Sequence, residues 1–406
     1  MKNAKKCSVY LWSEKIGELI QFGSKISFRY EEGCKYDFSP ISLPRATNLH
    51  LFKSTAHNGL EGVFIDSLPD SAGMEILDKY FEDNHPGFEP NTIDKLLFIG
   101  DVSLGALEYR PAYAEGASKK SIGVELKELK EYRKELLKTK DYKSIKVLIG
   151  LYKSFSPLAG ARTKLLINYN PKKEIFSIGV TKKEEIAIIL KLDESRSPIK
   201  KIDTTIEWIY SQVAREAKLN MPETYLFTDS EGFTHFGVER FDIDENKERL
   251  HTISLSGLLN ADKSKRIDLK EFLELAKSIL FLPKEDMEEI FRRVVFNHVF
   301  GNDDDHLKNH EFTMSKDGKW RLSPLFDVTY NKAKYMRITV NGKNSDIIIL
   351  EDFALVASEY KIDSYMQIIE NVQNAKALLC LLVDEKINDK YYDVDRENIL
   401  NTKIIF

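Results

Sequence analysis

The chain has 406 residues, of which 42% are hydrophobic and 31% charged, a balance that is typical of a soluble protein with two or three domains. The sequence has 60 Lys and Arg residues and 64 Asp and Glu residues, which gives a net charge of -4. This charge excludes a global basic excess for binding nucleic acid, although a local basic patch could still bind it. Three cysteines argue against a disulfide framework, and the short apolar stretches exclude a signal peptide or membrane helix, so we expect a cytoplasmic protein with no membrane partner.

The first part of the chain predicts an α+β module. Residues 7–30 alternate apolar and polar side chains, which predicts short antiparallel strands. A helix is predicted over residues 71–81, and strand character is expected over residues 96–109. We therefore assign residues 1–114 to an N-terminal module and interpret the Lys- and Glu-rich stretch 115–147 as a charged helical joint.

Residues 148–245 predict the nucleotide-binding part of the core, and they include a loop of small residues before a strand. In the loop 156–164, Ala159, Gly160 and Ala161 would let backbone N–H groups approach phosphates. The loop is not a Walker A sequence, and alone it is a weak signal.

The next strand and helix predict a pair of opposite charges. The strand 185–192 ends near Lys191, where a lysine can contact phosphates. Glu207, in a helix predicted over 205–218, has two interpretations. It forms a capping box with Thr204, or it forms the ion pair with Lys191 that kinases use.

A further strand suits an adenine hinge. It ends in the segment 236–242, which places Glu239 and Phe241 nearest the base. Arg240 and Asp242 of the same segment have a second interpretation as an ordinary surface ion pair.

Residues 246–406 predict a mainly helical lobe that one hairpin interrupts. A buried amphipathic helix over 283–300 stops at Gly301. The acids 303–305 follow directly, where the helix dipole is already negative, so a cation such as a metal ion or Lys308 is expected to compensate them.

The spacing after this helix is typical of phosphoryl transfer. Asp304 and Asn309 stand five positions apart, as do the proton-accepting Asp and metal-binding Asn of a kinase catalytic loop. An Asp-Gly hairpin over 311–322 should return the chain to Asp327 beside Asn309, where both can share a Mg²⁺ ion. The acids 303–305 have two other interpretations. A lone acidic cluster is more often a solvated loop. A calcium-binding loop of the EF-hand type is excluded, because its glycine and its distal glutamate are missing.

Together these motifs resemble HipA-type serine/threonine kinases, the toxins of bacterial toxin–antitoxin pairs. The resemblance covers nearly the whole chain. The motifs that carry it are Gly62–Asp70, Gly100–Tyr109, Ala-Gly-Ala-Arg-x-Lys at 159–164, Lys191, Val-Glu-Arg-Phe-Asp at 238–242, Gly-x-x-Asp-x-His-x-Lys-Asn at 301–309 and Ser-Pro-x-x-Asp at 323–327.

The resemblance implies an α+β, bilobal fold like that of PI3/4-kinases. It implies ATP and Mg²⁺ as cofactors and transfer of the γ-phosphate to a Ser or Thr of a protein, such as an aminoacyl-tRNA synthetase, with growth arrest as the outcome. It also implies a HipB-like helix-turn-helix antitoxin that makes the DNA contacts, so that DNA is reached only indirectly.

Residue by residue, the resemblance makes Asp304 the catalytic base and gives Mg²⁺ to Asn309 and Asp327. We interpret His306 as ordering the loop and Lys308 as stabilising transferred charge. The positions implied at the nucleotide are Ala159, Gly160, Ala161, Arg162, Lys164, Lys191, Glu207, Glu239 and Phe241.

One departure concerns regulation. The family has an autophosphorylated serine seven residues before the loop lysine, whereas this chain has Pro157 there, with Ser156 and Ser154 nearby. Proline cannot be phosphorylated and stiffens the loop. The sequence therefore does not predict that this chain inhibits itself by autophosphorylation at the family's position.

Two alternative functions also fit the sequence. The chain could be a catalytically weak, antitoxin-binding protein, or a metal-dependent hydrolase that uses the acids 303–305 without ATP.

Overall fold

The computed structural model describes most of the chain. The described residues are 3–23, 25–46, 49–52, 59–69, 71–113, 122–127, 129, 164–193, 202–331, 336–344, 347–388 and 393–401. Most of the predicted joint 115–147 lies outside them. Within the described ranges, no helix combines the length and the apolar character that a membrane crossing requires.

The N-terminal module is a five-stranded antiparallel sheet with helices, and it confirms the alternation over residues 7–30. Its strands run in the spatial order β4-β3-β2-β1-β5. The strands are β1 Lys6–Leu11, β2 Glu14–Phe22, β3 Lys25–Tyr30, β4 His50–Leu51 and β5 Leu107–Arg110. The helices are α1 Gly62–Ile65, α2 Ser71–Asn84 and α3 Thr92–Ile99.

The strand predicted over 96–109 is wrong for its first part. Residues up to Ile99 belong to helix α3, and only β5 is extended. Asn91 and Asp94 cap the helix reciprocally, since each side chain accepts the other's backbone N–H at 2.9 Å. This cap fixes the helix start, and the apolar run behind it is buried.

The second sheet forms the smaller lobe of the core. Its six antiparallel strands run in the order β10-β11-β9-β7-β8-β6, and helix α4 packs on β10 and β11. The elements are β6 Ile122–Val124, β7 Lys164–Asn170, β8 Ile175–Ile178, β9 Ile186–Lys191, α4 Asp203–Glu216, β10 Thr224–Thr228 and β11 Thr234–Glu239. The strands predicted over 165–169 and 185–192 are confirmed.

The C-terminal lobe is mainly helical, as predicted. The predicted hairpin is present, but strand β12 pairs with β14 and makes it a three-stranded sheet, and β13 and β16 form a parallel pair that was not predicted. The elements are β12 His251–Ser254, α5 Leu255–Leu258, β13 Ile267–Asp268, α6 Leu269–Ser278, α7 Lys284–Phe300, β14 Glu311–Met314, β15 Trp320–Leu322, β16 Ile338–Thr339, α8 Leu350–Tyr360, α9 Tyr365–Asn374, α10 Lys376–Lys386 and α11 Asp393–Leu400.

The N-terminal module docks on this lobe by a close backbone contact. Helices α1 and α5 meet at Gly62 and Gly257, where a Cβ on Gly62 would lie only 2.6 Å from the Cα of Gly257. Trp12 adds a hydrogen bond from its indole N–H to the carbonyl oxygen of Arg249 at 2.6 Å. Contacts at this distance require glycine, so the sequence of both helices serves the docking.

Candidate active site

Two buried lysines face one carboxylate where the second sheet meets the C-terminal lobe. Lys164 and Lys191 are cross-strand neighbours on β7 and β9. The Nζ atom of Lys164 lies 2.8 Å from Oδ2 of Asp327, and the Nζ atom of Lys191 lies 2.6 Å from Oδ1. Asp327 thus joins the C-terminal lobe to the sheet through both of its oxygens.

Lys191 also forms an ion pair with Glu207, in the first half of helix α4. The alternative interpretation of Glu207 as part of a capping box is wrong. The Thr204 hydroxyl instead donates to the carbonyl oxygen of Thr234 at 2.9 Å, and the residue preceding the helix is Ile202. The ion-pair interpretation is therefore confirmed as a contact.

The four charges balance in a buried setting. Burial alone would raise the pKa of Asp327, but the charges of Lys164 and Lys191 outweigh it and hold that pKa well below its usual range. Burial would lower the pKa of Lys191, yet Asp327 and Glu207 raise it. Burial lowers the pKa of Lys164 and raises the pKa of Glu207. In these two groups, the loss of hydration therefore outweighs the attraction of the neighbouring opposite charges.

The predicted catalytic loop follows helix α7, which ends at Gly301 in a left-handed conformation with φ 67°. Of the three acids, Asp303 and Asp305 are buried and Asp304 is exposed. Asp305 accepts the backbone N–H of Arg337 at 2.7 Å, and burial raises its pKa well above the usual range. Asp304 is the acid that faces solvent.

This arrangement corrects the expectation that Lys308 compensates the three acids. The Lys308 ammonium instead lies 3.4 Å from Oδ1 of Asp66, in the N-terminal module. Because Asp305 is buried, hydrogen-bonded to backbone and raised in pKa, the acids do not act as three neighbouring charges. Among the described residues, which include 303–305, no three His, Cys, Asp or Glu side chains group to hold a metal ion, and this removes support from a hydrolase that uses 303–305 as a joint metal site.

Asn309 and His306 lie in the short 3-10 turn region after Asp304. The Asn309 amide donates to the carbonyl oxygen of Asp304 at 3.0 Å. Its Oδ1 atom is buried and has no hydrogen-bond partner in the described part of the chain. Burial lowers the pKa of His306, while the negative charges of Asp304 and Asp327 oppose that shift.

These residues fit a magnesium ion by their chemistry. Mg²⁺ in nucleotide sites takes one or two carboxylates and keeps its other positions for phosphates and water. The buried, unpartnered Oδ1 of Asn309 and the carboxylate of Asp327 are oxygen ligands of this kind. Across the described ranges no three His, Cys, Asp or Glu side chains group as a dedicated metal cage.

The backbone of the predicted hinge already forms hydrogen bonds with neighbouring strands and loops of the protein. The backbone N–H groups of Glu239 and Arg240 donate to the carbonyl oxygens of Glu223 at 3.0 Å and Ala187 at 2.9 Å, so adenine recognition by either group would break a hydrogen bond. The ring of Phe241 stacks on Phe326, with centroids 4.8 Å apart. The hinge thereby contacts the segment that carries Asp327.

The interpretation of Arg240 and Asp242 as a surface pair is wrong. The pair exists, with 2.6 Å between its closest atoms, but Asp242 is fully buried. Its Oδ2 also accepts the backbone N–H of Gly105 at 2.8 Å. Asp242 therefore joins the core to the N-terminal module.

Several predicted positions lie outside the described residues. They are Ala159, Gly160, Ala161 and Arg162 of the predicted phosphate loop, and Ser154, Ser156 and Pro157 of the predicted regulatory segment. Sequence reasoning also gave no role to Asp66 or Ser254, whose side chains meet beside Lys308. No local pattern marks that contact.

The fold and the charge cluster together define an α+β, bilobal, kinase-like protein. Residues 7–110 match the model of the HipA N-terminal domain, and residues 156–379 match that of the HipA-like C-terminal domain. The chain belongs to the HipA family.

Individual relatives are distant. A Haemophilus influenzae protein named “Putative kinase” is 25% identical over 201 residues, which span 44% of this chain and 59% of that protein. HipA from a Shewanella oneidensis MR-1 complex of HipA, HipB and operator DNA has 15% identity and a TM-score of 0.68, over 97% of this chain and 96% of that one. The Helicobacter pylori kinase CtkA has 12% identity and a TM-score of 0.40, over 55% of this chain and 88% of its own.

Proposed function

We propose that this protein is a protein kinase that transfers the γ-phosphate of ATP, with Mg²⁺, to a serine or threonine hydroxyl. The observation that carries the proposal is the contact of Lys191 with both Glu207 and Asp327. A strand lysine paired with a helix glutamate, next to a metal-binding aspartate, is the arrangement that protein kinases use to hold nucleotide phosphates. Membership of the HipA family supports the same activity.

The roles in the proposed reaction follow from burial and charge. Lys191 and Lys164 bind phosphate oxygens, because both ammonium groups are buried beside Asp327. Asp327 and Asn309 hold Mg²⁺, which neutralises phosphate charge when bound. The nucleotide site also includes Glu239, Phe241 and the loop 159–162 carried over from the family.

Asp304 accepts the proton of the substrate hydroxyl. It is exposed, so a hydroxyl of another protein can reach it, and its neighbours Asp303 and Asp305 cannot take this role because they are buried. Burial lowers the pKa of His306, which favours the neutral imidazole near pH 7, and we assign His306 the role of ordering the loop. General-base catalysis of this kind typically contributes 10²–10⁴-fold to a rate.

The proposal includes partners. A HipB-like helix-turn-helix antitoxin is supported by the Shewanella oneidensis structure, in which HipA is in complex with HipB and operator DNA. The net charge of -4 supports DNA contact through the antitoxin rather than directly. We propose growth arrest through phosphorylation of a cytoplasmic protein such as an aminoacyl-tRNA synthetase.

The test is transfer of labelled γ-phosphate from Mg-ATP to proteins of a bacterial lysate, by the purified wild type and by Asp327→Ala. We expect labelled bands with the wild type and none with Asp327→Ala. Asp317→Ala, on the exposed hairpin turn, serves as the matched control and should label as the wild type does. Binding of Mg-ATP in a thermal-shift assay without any transfer would favour a catalytically weak binding protein. If the wild type neither binds Mg-ATP nor transfers phosphate, the proposal is refuted.

A further inference from the structure

The carboxylate of Asp66 joins the N-terminal module to the catalytic loop. Asp66 directly follows helix α1, and its Oδ2 atom accepts the backbone N–H of Ser254 at 2.8 Å. The Ser254 hydroxyl donates to the same carboxylate, with 2.9 Å to Oδ2 and 3.0 Å to Oδ1. The Lys308 ammonium lies 3.4 Å from Oδ1, and both charged side chains are largely buried.

We propose that Asp66 is a positioning residue of the kinase site, which acts by holding Lys308 and through it the turn that carries Asn309. The N-terminal module is then a working part of the active site. This inference rests on the proposed kinase function, and it gives Lys308 the role of an anchor in place of a group that stabilises transferred charge.

The path from Lys308 to the reacting groups is short. Lys308 lies in the turn Leu307–Asn309, and the Asn309 amide hydrogen-bonds to the carbonyl oxygen of Asp304 at 3.0 Å. Because Lys308 and Asn309 share this turn and Asn309 is hydrogen-bonded to Asp304, a displaced Lys308 moves the proposed metal ligand directly and the proposed base through that bond. Displacements of about 1 Å at a catalytic group can lower a rate by about 10²-fold.

The neighbouring carboxyl group does not compete for Lys308. Glu311 is buried, and its Oε2 atom has no hydrogen-bond partner among the described residues. Among the described residues no ion pair joins Glu311 to Lys308, whereas the Lys308 ammonium lies 3.4 Å from Oδ1 of Asp66.

Tight packing fixes the position of the Asp66 carboxylate. A Cβ on Gly257 would lie 2.1 Å from its Oδ2 atom, so the carboxylate rests against bare backbone. The Gly257 N–H in turn donates to the Ser254 hydroxyl at 2.9 Å, which holds Ser254 in place. The anchor is thus built before any substrate binds.

The kinetic test is a double-mutant cycle in the full chain with Asp66→Asn, Lys308→Met and the double variant. We expect each single variant to lower kcat for labelled phosphate transfer about tenfold or more, with KM for ATP changed by about twofold or less. The double variant should be no worse than either single one, because both remove the same contact. Asp317→Asn and Lys316→Met, on the exposed hairpin turn, are the matched controls.

A second readout is independent of catalysis. Hydrogen–deuterium exchange of the peptide covering 302–310 should be faster in Lys308→Met and Asp66→Asn than in the controls. Lys308→Met keeps the Asp66 bonds to Ser254, so it carries the test if Asp66→Asn fails to fold. Additive kinetic effects, or exchange equal to that of the controls, would overturn the proposal. If the wild type transfers no phosphate, the kinase function fails and exchange still decides the anchoring.

Discussion

Removing the Lys191 ammonium should destabilise the fold because it leaves buried charge unbalanced. The cluster holds two cations, Lys164 and Lys191, and two anions, Glu207 and Asp327. Lys191→Met leaves one excess negative charge in a place where Lys191 and Glu207 are only 2% and 3% exposed. Breaking a buried ion pair on one side typically costs about 3–5 kcal/mol, and we expect a loss of this size in the free energy of unfolding.

The double variant Lys191→Met/Glu207→Gln tests whether charge balance is the cause. It removes one cation and one anion, so Lys164 and Asp327 remain as a balanced pair. We expect it to be more stable than Lys191→Met alone by about 2 kcal/mol, while phosphate transfer stays lost. Lowering the pH should also reduce the defect of Lys191→Met, because Glu207, whose pKa burial already raises, then takes up a proton.

The assay is urea unfolding followed by circular dichroism and by tryptophan fluorescence. Trp208 stands next to Glu207 on helix α4 and reports on this region. Lys182→Met removes an ammonium that is 52% exposed and should change stability by less than about 0.5 kcal/mol. If the double variant is no more stable than Lys191→Met, the charge-balance reasoning is refuted.

Three further predictions concern stability, measured by the urea midpoint. Gly62→Ala forces a Cβ to 2.6 Å from facing backbone and should lose about 1–3 kcal/mol, whereas Gly123→Ala meets open space and should lose little. Asp305→Ala leaves two backbone N–H groups unpaired and should lose about 1–3 kcal/mol, while exposed Asp304→Ala should not. Burial raises the pKa of Glu61 to about 7, above an unfolded value of about 4.3, so its contribution is present at low pH and is lost as pH rises through about 7. Glu61→Gln should therefore show a flatter stability profile between pH about 5 and 8, and an unchanged profile would contradict this reasoning.

The sequence predicted those helices and strands whose signals lie within the element itself. Alternating side chains indicated the first strands, and the apolar stripe ending at Gly301 indicated helix α7. The strand predicted over 96–109 failed because a short continuous apolar run suits a buried helix as well as a strand. The deciding signal was the cap formed by Asn91 and Asp94, which stands before that run.

The candidate site divides in the same way. The pairing of Lys191 with Glu207 was one of two interpretations of the sequence, because the spacing of a strand lysine and a helix glutamate follows a known template. The contact of Lys308 with Asp66 had no such template, since the two residues are far apart in the chain and meet only when the N-terminal module docks. Asp304 is exposed whereas its neighbours Asp303 and Asp305 are buried, and three identical side chains in a row contain no signal for that difference in exposure.

The most direct test of the central claim is the rate of phosphate transfer from Mg-ATP by Asp304→Asn beside the wild type. Asp304 is exposed, so the substitution should leave folding and Mg-ATP binding unchanged. The account predicts a fall in kcat of about 10²-fold or more, with KM for ATP nearly constant. A variant that retains more than about a tenth of the wild-type kcat would contradict the assignment of Asp304 as the base of a kinase.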